Sequence, residues 1–316
     1  MSTGSQGAAA GMAAASTTIT FADCNADICP YSKSFYPYKI DLAPNATFLA
    51  LFALSLLAFL GVLALTRGRN KAFTTAMVLG LICEILGYAG RIMSWNDQWD
   101  ETGFLMQTCC LTIAPAFLAA GIYLCIRRIV TAFGPENSRI APQYYTRIFI
   151  PCDVISLILQ ASGGAMASVA FHNQKSTDTG DYVMTAGLAF QVFTLAIFIG
   201  LCGDFFVNTA RRRRALGDAA ALDQDPALVA LRGSRMFRGF LAALALSTLC
   251  ILWRSVYRVA EMSGGWAGPL MSRQDLFVGF EGVLVTAAVW VLNIFHPSLC
   301  FRRGGAEAGD GASEKA

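Results

Sequence analysis

Seven apolar stretches govern what this chain can become. They run at 46–66, 72–92, 104–126, 147–171, 183–207, 237–258 and 276–295. Each is about 20 residues or slightly longer, enough for a helix to cross a hydrocarbon layer about 30 Å thick. A segment in that layer must satisfy its own backbone polar groups, so each stretch is expected to be helical. Length alone would allow two soluble domains. However, only 14% of residues are charged, 55% are hydrophobic and mean hydropathy is +0.51, whereas a soluble domain carries roughly 25% charge. The sequence therefore predicts an all-α polytopic membrane bundle of seven transmembrane helices. It reads as an extracellular N-terminal tail over 1–45, a membrane domain over 46–298 and a flexible cytosolic tail over 299–316.

The loops set the orientation. Arg67, Arg69 and Lys71 follow the first stretch, and Arg127, Arg128, Arg139 and Arg147 flank the loop after the third. Arg211, Arg212, Arg213, Arg214, Arg232, Arg235 and Arg238 fill the long loop after the fifth, and Arg302 and Arg303 follow the seventh. The alternate loops are acidic or poor in basic residues, with Asp97, Asp100 and Glu101, then Asp178 and Asp181 against Lys175. An excess of Lys and Arg marks the cytosolic side, so the N-terminus is expected outside and the C-terminus inside. The run Arg211 to Arg214 reads as a topology determinant, with a contact to anionic lipid as the sharper alternative. The long loop that holds it is expected to be flexible and polar.

Residues 1–20 make a poor signal peptide, lacking a basic region and a leucine-rich core, and are expected to be a disordered tail, with 21–45 a short ordered loop leading to the first helix. Asn45-Ala46-Thr47 matches a glycosylation sequon but lies at the membrane edge, which favours a structural Asn at a helix start. Ten cysteines are scattered, mostly inside apolar stretches as small packing residues. Cys24 and Cys29 instead lie in the polar tail. In an oxidising space they are candidates for a disulfide, to each other or to Cys109 or Cys110.

Polar residues inside apolar stretches are functional candidates by default, since charge in hydrocarbon is costly. Glu84, Tyr88 and Arg91 recur at i, i+4 and i+7, as do Arg254, Arg258 and Glu261, with Tyr257 beside them. Each set forms one stripe of a helix. With Gln107, Gln191, Asp275 and Glu281 they form an outer set of candidate ligand-binding residues. The two stripes are expected to face each other, with Glu84 and Glu261 opposite arginines and Glu281 free to read a cationic head group. The alternative is a set of buried ion pairs that pins helix packing. A thinner inner set comprises Tyr123, Arg127, Asp153, Gln160 and Asp204, with Asn293 and His296 nearby. Pro115 should bend the third helix and free a carbonyl, and Gly163 and Gly164 should allow close helix approach or a bend.

Several chemistries are excluded. No G-x-x-x-x-G-K-[ST] supports nucleotide-driven export, and no G-x-S-x-G supports a serine hydrolase. His172 and His296, the only histidines, fall at opposite membrane faces and cannot share a metal ion. No lysine lies inside a stretch to carry retinal. A seven-helix receptor fits the topology, but helix three lacks an acidic-Arg-aromatic triplet and helix seven lacks Asn-Pro-x-x-Tyr. No enzyme activity, metal, cofactor or nucleic-acid partner is expected.

Over about 36–297 the chain resembles the fungal lipid-translocating exporter family. The resemblance is carried by the Cys24/Cys29 tail leading to Tyr36-Pro37 and Asn45, and by Glu84-x-x-Gly87-Tyr88-x-x-Arg91. It continues through Ala114-Pro115-x-x-x-Ala119-Ala120-x-x-Tyr123 and Asp153-x-x-Ser156-x-x-x-Gln160-x-x-Gly163-Gly164. Gly187-x-x-x-Gln191, Arg254-x-x-Tyr257-Arg258-x-x-Glu261 and His296-Pro297 complete it. The departure is in helix seven, where the family's Glu, Tyr-bearing aromatic stretch and Asp are replaced by Asp275 to Glu281 with the acids exchanged and no Tyr. The resemblance implies movement or release of an amphiphilic lipid such as a sphingoid long-chain base at the plasma membrane, with a role in resistance to toxicants. A lipid-responsive sensor that carries no flux fits the same residues.

Overall fold

The computed structural model describes residues 29–30, 34–36, 38–68, 70–173, 175–264 and 268–301. Helices α1 (Leu42–Leu65), α2 (Lys71–Asn96), α3 (Glu101–Phe133), α4 (Pro142–His172) and α5 (Asp178–Leu216) follow in order. Two short helices, α6 (Asp218–Ala221) and α7 (Pro226–Gly233), lead to α8 (Arg235–Ser263). The seventh span starts as α9 (Gln274–Phe277), opens into a π-helical turn (Val278–Val283) and continues as α10 (Leu284–Ile294). Among the described residues, seven of these units are long and apolar enough to cross a membrane, and each covers one of the stretches read from the sequence to within a residue. The chain is a multi-pass membrane protein.

Helix α3 is the centre of the bundle. Its apolar window is 67% buried, against 22% for α1 and α4, which present most of their surface outward. It packs most extensively on α2 and also touches α4, α5 and α8, while α1 closes against α2 and α10. The interior is rich in aromatic residues, with Phe52, Phe59, Tyr123, Phe149, Phe198, Phe205 and Phe237 all buried. Small residues bring α4 and α5 together. A Cβ on Gly163 would stand 2.4 Å from the Met184 nitrogen, and one on Gly180 would stand 2.4 Å from the Ala167 nitrogen. The two backbones are thus in direct contact, as expected for Gly163. Gly164 faces open space by comparison, with the Met184 sulfur 3.9 Å from its would-be Cβ.

The stretch expected to be a flexible polar loop carries helical structure, with α5 running on to Leu216 and α6 and α7 following. Arginines at the end of α5 tie it to its surroundings: Arg212 donates to Asn137 Oδ1 (3.0 Å) and pairs with Glu136, and Arg213 pairs with Asp218 through two hydrogen bonds of 2.8 Å. Arg232 donates to the carbonyls of Ala132 and Asp223. Asn45 lies in the first turn of α1 and is buried, its Nδ2 donating to the Asp41 carbonyl at 2.6 Å. That is the structural role favoured over the sequon. His296 ends α10, buried against Phe59 and Phe73.

Candidate functional site

Helices α2, α3 and α8 and the seventh span bring most of the outer polar set into the bundle interior, near the end that carries the N-terminal segment. Glu84, Arg91, Arg254, Arg258, Glu261 and Glu281 are each at most 3% exposed. Their ion pairs differ from the expected pattern. Arg254 binds Glu281 of the seventh span rather than Glu84. Arg258 binds Glu261 one turn along its own helix, and its Nη2 is 3.3 Å from Thr112 Oγ1 on α3. Tyr257 donates to Glu261 (3.2 Å) and stacks on Phe280 at 5.1 Å between ring centroids. Glu281, expected to be free, is therefore half of a buried salt bridge.

The position of Arg254 follows from a proline. Pro115 has no N–H, so it cannot bond the carbonyl four residues back, that of Leu111. Arg254 Nη2 donates to this carbonyl as well as to Glu281. The guanidinium thus fills a hydrogen-bonding gap that Pro115 makes in α3. The π-helical turn carries Glu281 and widens the seventh span where it meets Arg254. Such turns are rare and are common at functional sites.

Glu84 is fully buried, and neither of its carboxylate oxygens has a hydrogen-bond partner among the described residues. The charges that act on it are those of Arg254, Glu281 and Arg258. Tyr88, one turn away, also leaves its hydroxyl unpartnered, with its ring against Phe48, Phe52 and Phe277. Arg91, expected to face a carboxylate, meets none among the described residues. It donates to Gln107 Oε1 (3.2 Å) and Tyr38 OH (2.6 Å) and lies over the Phe277 ring, 3.8 Å from its centroid.

The N-terminal segment closes this end of the site. Tyr36 OH donates to Gln107 at 2.6 Å, and burial pushes its pKa up to about 12, so the proton stays on the phenol that makes this bond. Gln98 donates to the Tyr38 carbonyl, and Gln274 donates to Asp41 at 2.7 Å. Cys29 is disulfide-bonded, and Cys109 and Cys110 are free thiols, which removes them as partners. Cys24 lies outside the described residues.

Other candidates fall elsewhere. Asp275 is exposed at the rim and is paired with Arg273, two residues before it. Gln191 receives a hydrogen bond from Gln160 at 3.1 Å in the α4–α5 contact. The inner set does not form one site. Asp153 and Tyr123 are neighbours across α3 and α4 without closing a normal hydrogen bond. Asp204 pairs with Arg139 at 2.7 Å, and Arg127 is exposed at the bundle end. Sequence reasoning missed Tyr38, Thr112 and Phe277 as parts of the polar site, and it expected the carbonyl freed by Pro115 without placing it beside Arg254. Only that carbonyl had a signal, its place four residues before Pro115.

Comparison with known proteins places this geometry in a family. The family described as RTA1 like protein matches residues 77–304. The sphingoid long-chain base transporter RSB1 of Saccharomyces cerevisiae (strain Lalvin EC1118) is 33% identical over 253 residues, 74% of this chain and 66% of the relative. Protoporphyrin uptake protein 1 of Saccharomyces cerevisiae (strain S288c) is 33% identical over 65% of this chain and 62% of the relative. Protein RTA1 of the same strain is 28% identical over 83% of this chain and 84% of the relative. The chain thus spans just under two thirds of the length of the long-chain base transporters it matches. No solved structure matches. The matched region takes in all the buried charges described above but not the N-terminal aromatic residues that cap them, and the chain belongs to the RTA1-like protein family.

Proposed function

We propose that this protein moves an amphiphilic lipid with a cationic head group, such as a sphingoid long-chain base, across the membrane and so contributes to resistance. Two relatives are named for transport of a long-chain base and uptake of protoporphyrin, both amphiphiles. The observation that carries the reading is Glu84. A buried carboxylate without a partner is costly, and such groups in membrane interiors are by default functional candidates. An ammonium group would pair with Glu84, while the alkyl tail would lie among the aromatic side chains or in lipid. Glu281 supports the site through Arg254 instead of reading the ligand. The loop charges favour an N-terminus outside and a C-terminus in the cytosol, which puts the site in the outer half of the membrane, and the plasma membrane is the proposed location.

A second reading is a lipid-responsive sensor without flux. It is favoured by the closure of the polar site, whose buried side chains have almost no exposed surface. The two separate in one experiment: purified protein is tested for binding of labelled long-chain base in nanodiscs and for flux in liposomes. Binding with flux supports the transporter, and binding without flux supports the sensor. Absence of both would refute the lipid assignment.

A further inference from the structure

A cavity of about 580 Å³ opens at the other end of the bundle, remote from the Glu84 site. Its walls come from the first turn of α2, the last turns of α3, helix α7 and the end of the seventh span. Arg127 and Arg128 line it, and among the described residues no acidic one does. Neither arginine makes an ion pair among the described residues, whereas Arg139, Arg212 and Arg213 at the same end each hold an acid. Arg128 lies over the Phe301 ring at 5.6 Å, which steadies its guanidinium without neutralising it. The first turn of α2 adds to this positive field. Asn70 caps it in a left-handed conformation with no side-chain hydrogen bond, and Ala72 and Phe73 of that turn line the cavity. Helix starts offer free N–H groups and a partial positive charge. The remaining wall is largely apolar, including Leu124, Leu228 and Leu231.

We propose that this cavity binds an anionic phosphate-monoester head group in preference to a zwitterionic one, with Arg127 and Arg128 holding the phosphate and the apolar wall covering the carbon chain next to it. Arginine suits this chemistry because its planar fork makes paired hydrogen bonds to phosphate oxygens. The cavity is too large for a lone ion and is part apolar, which favours a phospholipid as the source over free phosphate. The site is separate from the proposed transport site and of opposite charge preference. It could therefore tie the state of the bundle to the anionic lipid around it.

The test uses the full chain in phosphatidylcholine nanodiscs that contain fluorescent phosphatidic acid. Saturable binding is expected, and Arg127→Gln with Arg128→Gln should weaken it by about tenfold or more, the loss of charge-assisted hydrogen bonds. Thr131→Glu, an exposed change on the cavity wall, should weaken it similarly by like-charge repulsion, which covers the case where the arginine variant folds poorly. Arg211→Gln with Arg214→Gln, exposed and outside the cavity, should leave binding unchanged. Inorganic phosphate is added as a competitor. Displacement at millimolar concentration identifies a soluble phosphate compound as the natural source, and resistance to it identifies the lipid. Folded cavity variants that bind as well as wild type would overturn the proposal. So would equal losses in the Arg211/Arg214 control, which would reduce the effect to general surface charge.

Discussion

At the scale of single residues, Arg254 ties two features together. It meets Glu281 and also the carbonyl that Pro115 leaves free on α3. Removing one partner of a buried ion pair leaves a stranded charge and costs about 3–5 kcal/mol, whereas replacing both by apolar residues is often neutral. Glu281→Gln should therefore lower the yield and melting temperature of purified protein. The double change Arg254→Met with Glu281→Met should recover part of both. Asp275→Asn should change neither, because Asp275 is exposed and its salt bridge is to Arg273, two residues before it. A thermal melt in detergent checks all three. Much of this was legible in the sequence. The i, i+4, i+7 spacing put Glu84 and Arg254 in the interior, and Pro115 announced a free carbonyl. The pairing was not legible, because partner choice depends on helix rotation and depth, which spacing along one helix does not set. Glu281 reaches Arg254 on a π-helical turn, and a single sequence shows no sign of such a turn.

At the scale of elements, the α4–α5 contact rests on glycine. Gly163→Leu would drive a side chain into the backbone at Met184, and Gly180→Leu into that at Ala167. Either should abolish a monodisperse peak in size exclusion. Gly203→Leu, where nothing lies within 4 Å, should not. Seven spans were readable because hydropathy over about 20 residues is a strong signal. The short helices α6 and α7 were not, since a polar loop rich in arginine reads as flexible until its acids and carbonyl acceptors are placed. Those partners come from the α3–α4 connection (Glu136 and Asn137), the end of α3 (Ala132) and the loop itself (Asp218 and Asp223). Their approach is a tertiary event.

At the scale of the whole molecule, the N-terminal segment and the arginine-rich loops occupy opposite roles. The charge asymmetry predicts that tags in loops 127–147 and 208–238 and at the C-terminus are protected in intact cells, while a tag ahead of Cys24 is accessible. An externally accessible tag in the Arg211–Arg214 run would reverse the proposed orientation. Mass spectrometry without reductant should find Cys29 in a disulfide, with Cys24 as its proposed partner and with Cys109 and Cys110 free. The most direct measurement is long-chain-base flux in liposomes reconstituted with wild type or Glu84→Gln. Glutamine keeps the size of the side chain but removes the charge an ammonium group needs, a contact worth about 1.5–3 kcal/mol, or roughly tenfold or more. The account predicts a variant that folds and melts no lower than wild type while its flux falls by that factor. A folded Glu84→Gln protein with full flux would contradict it.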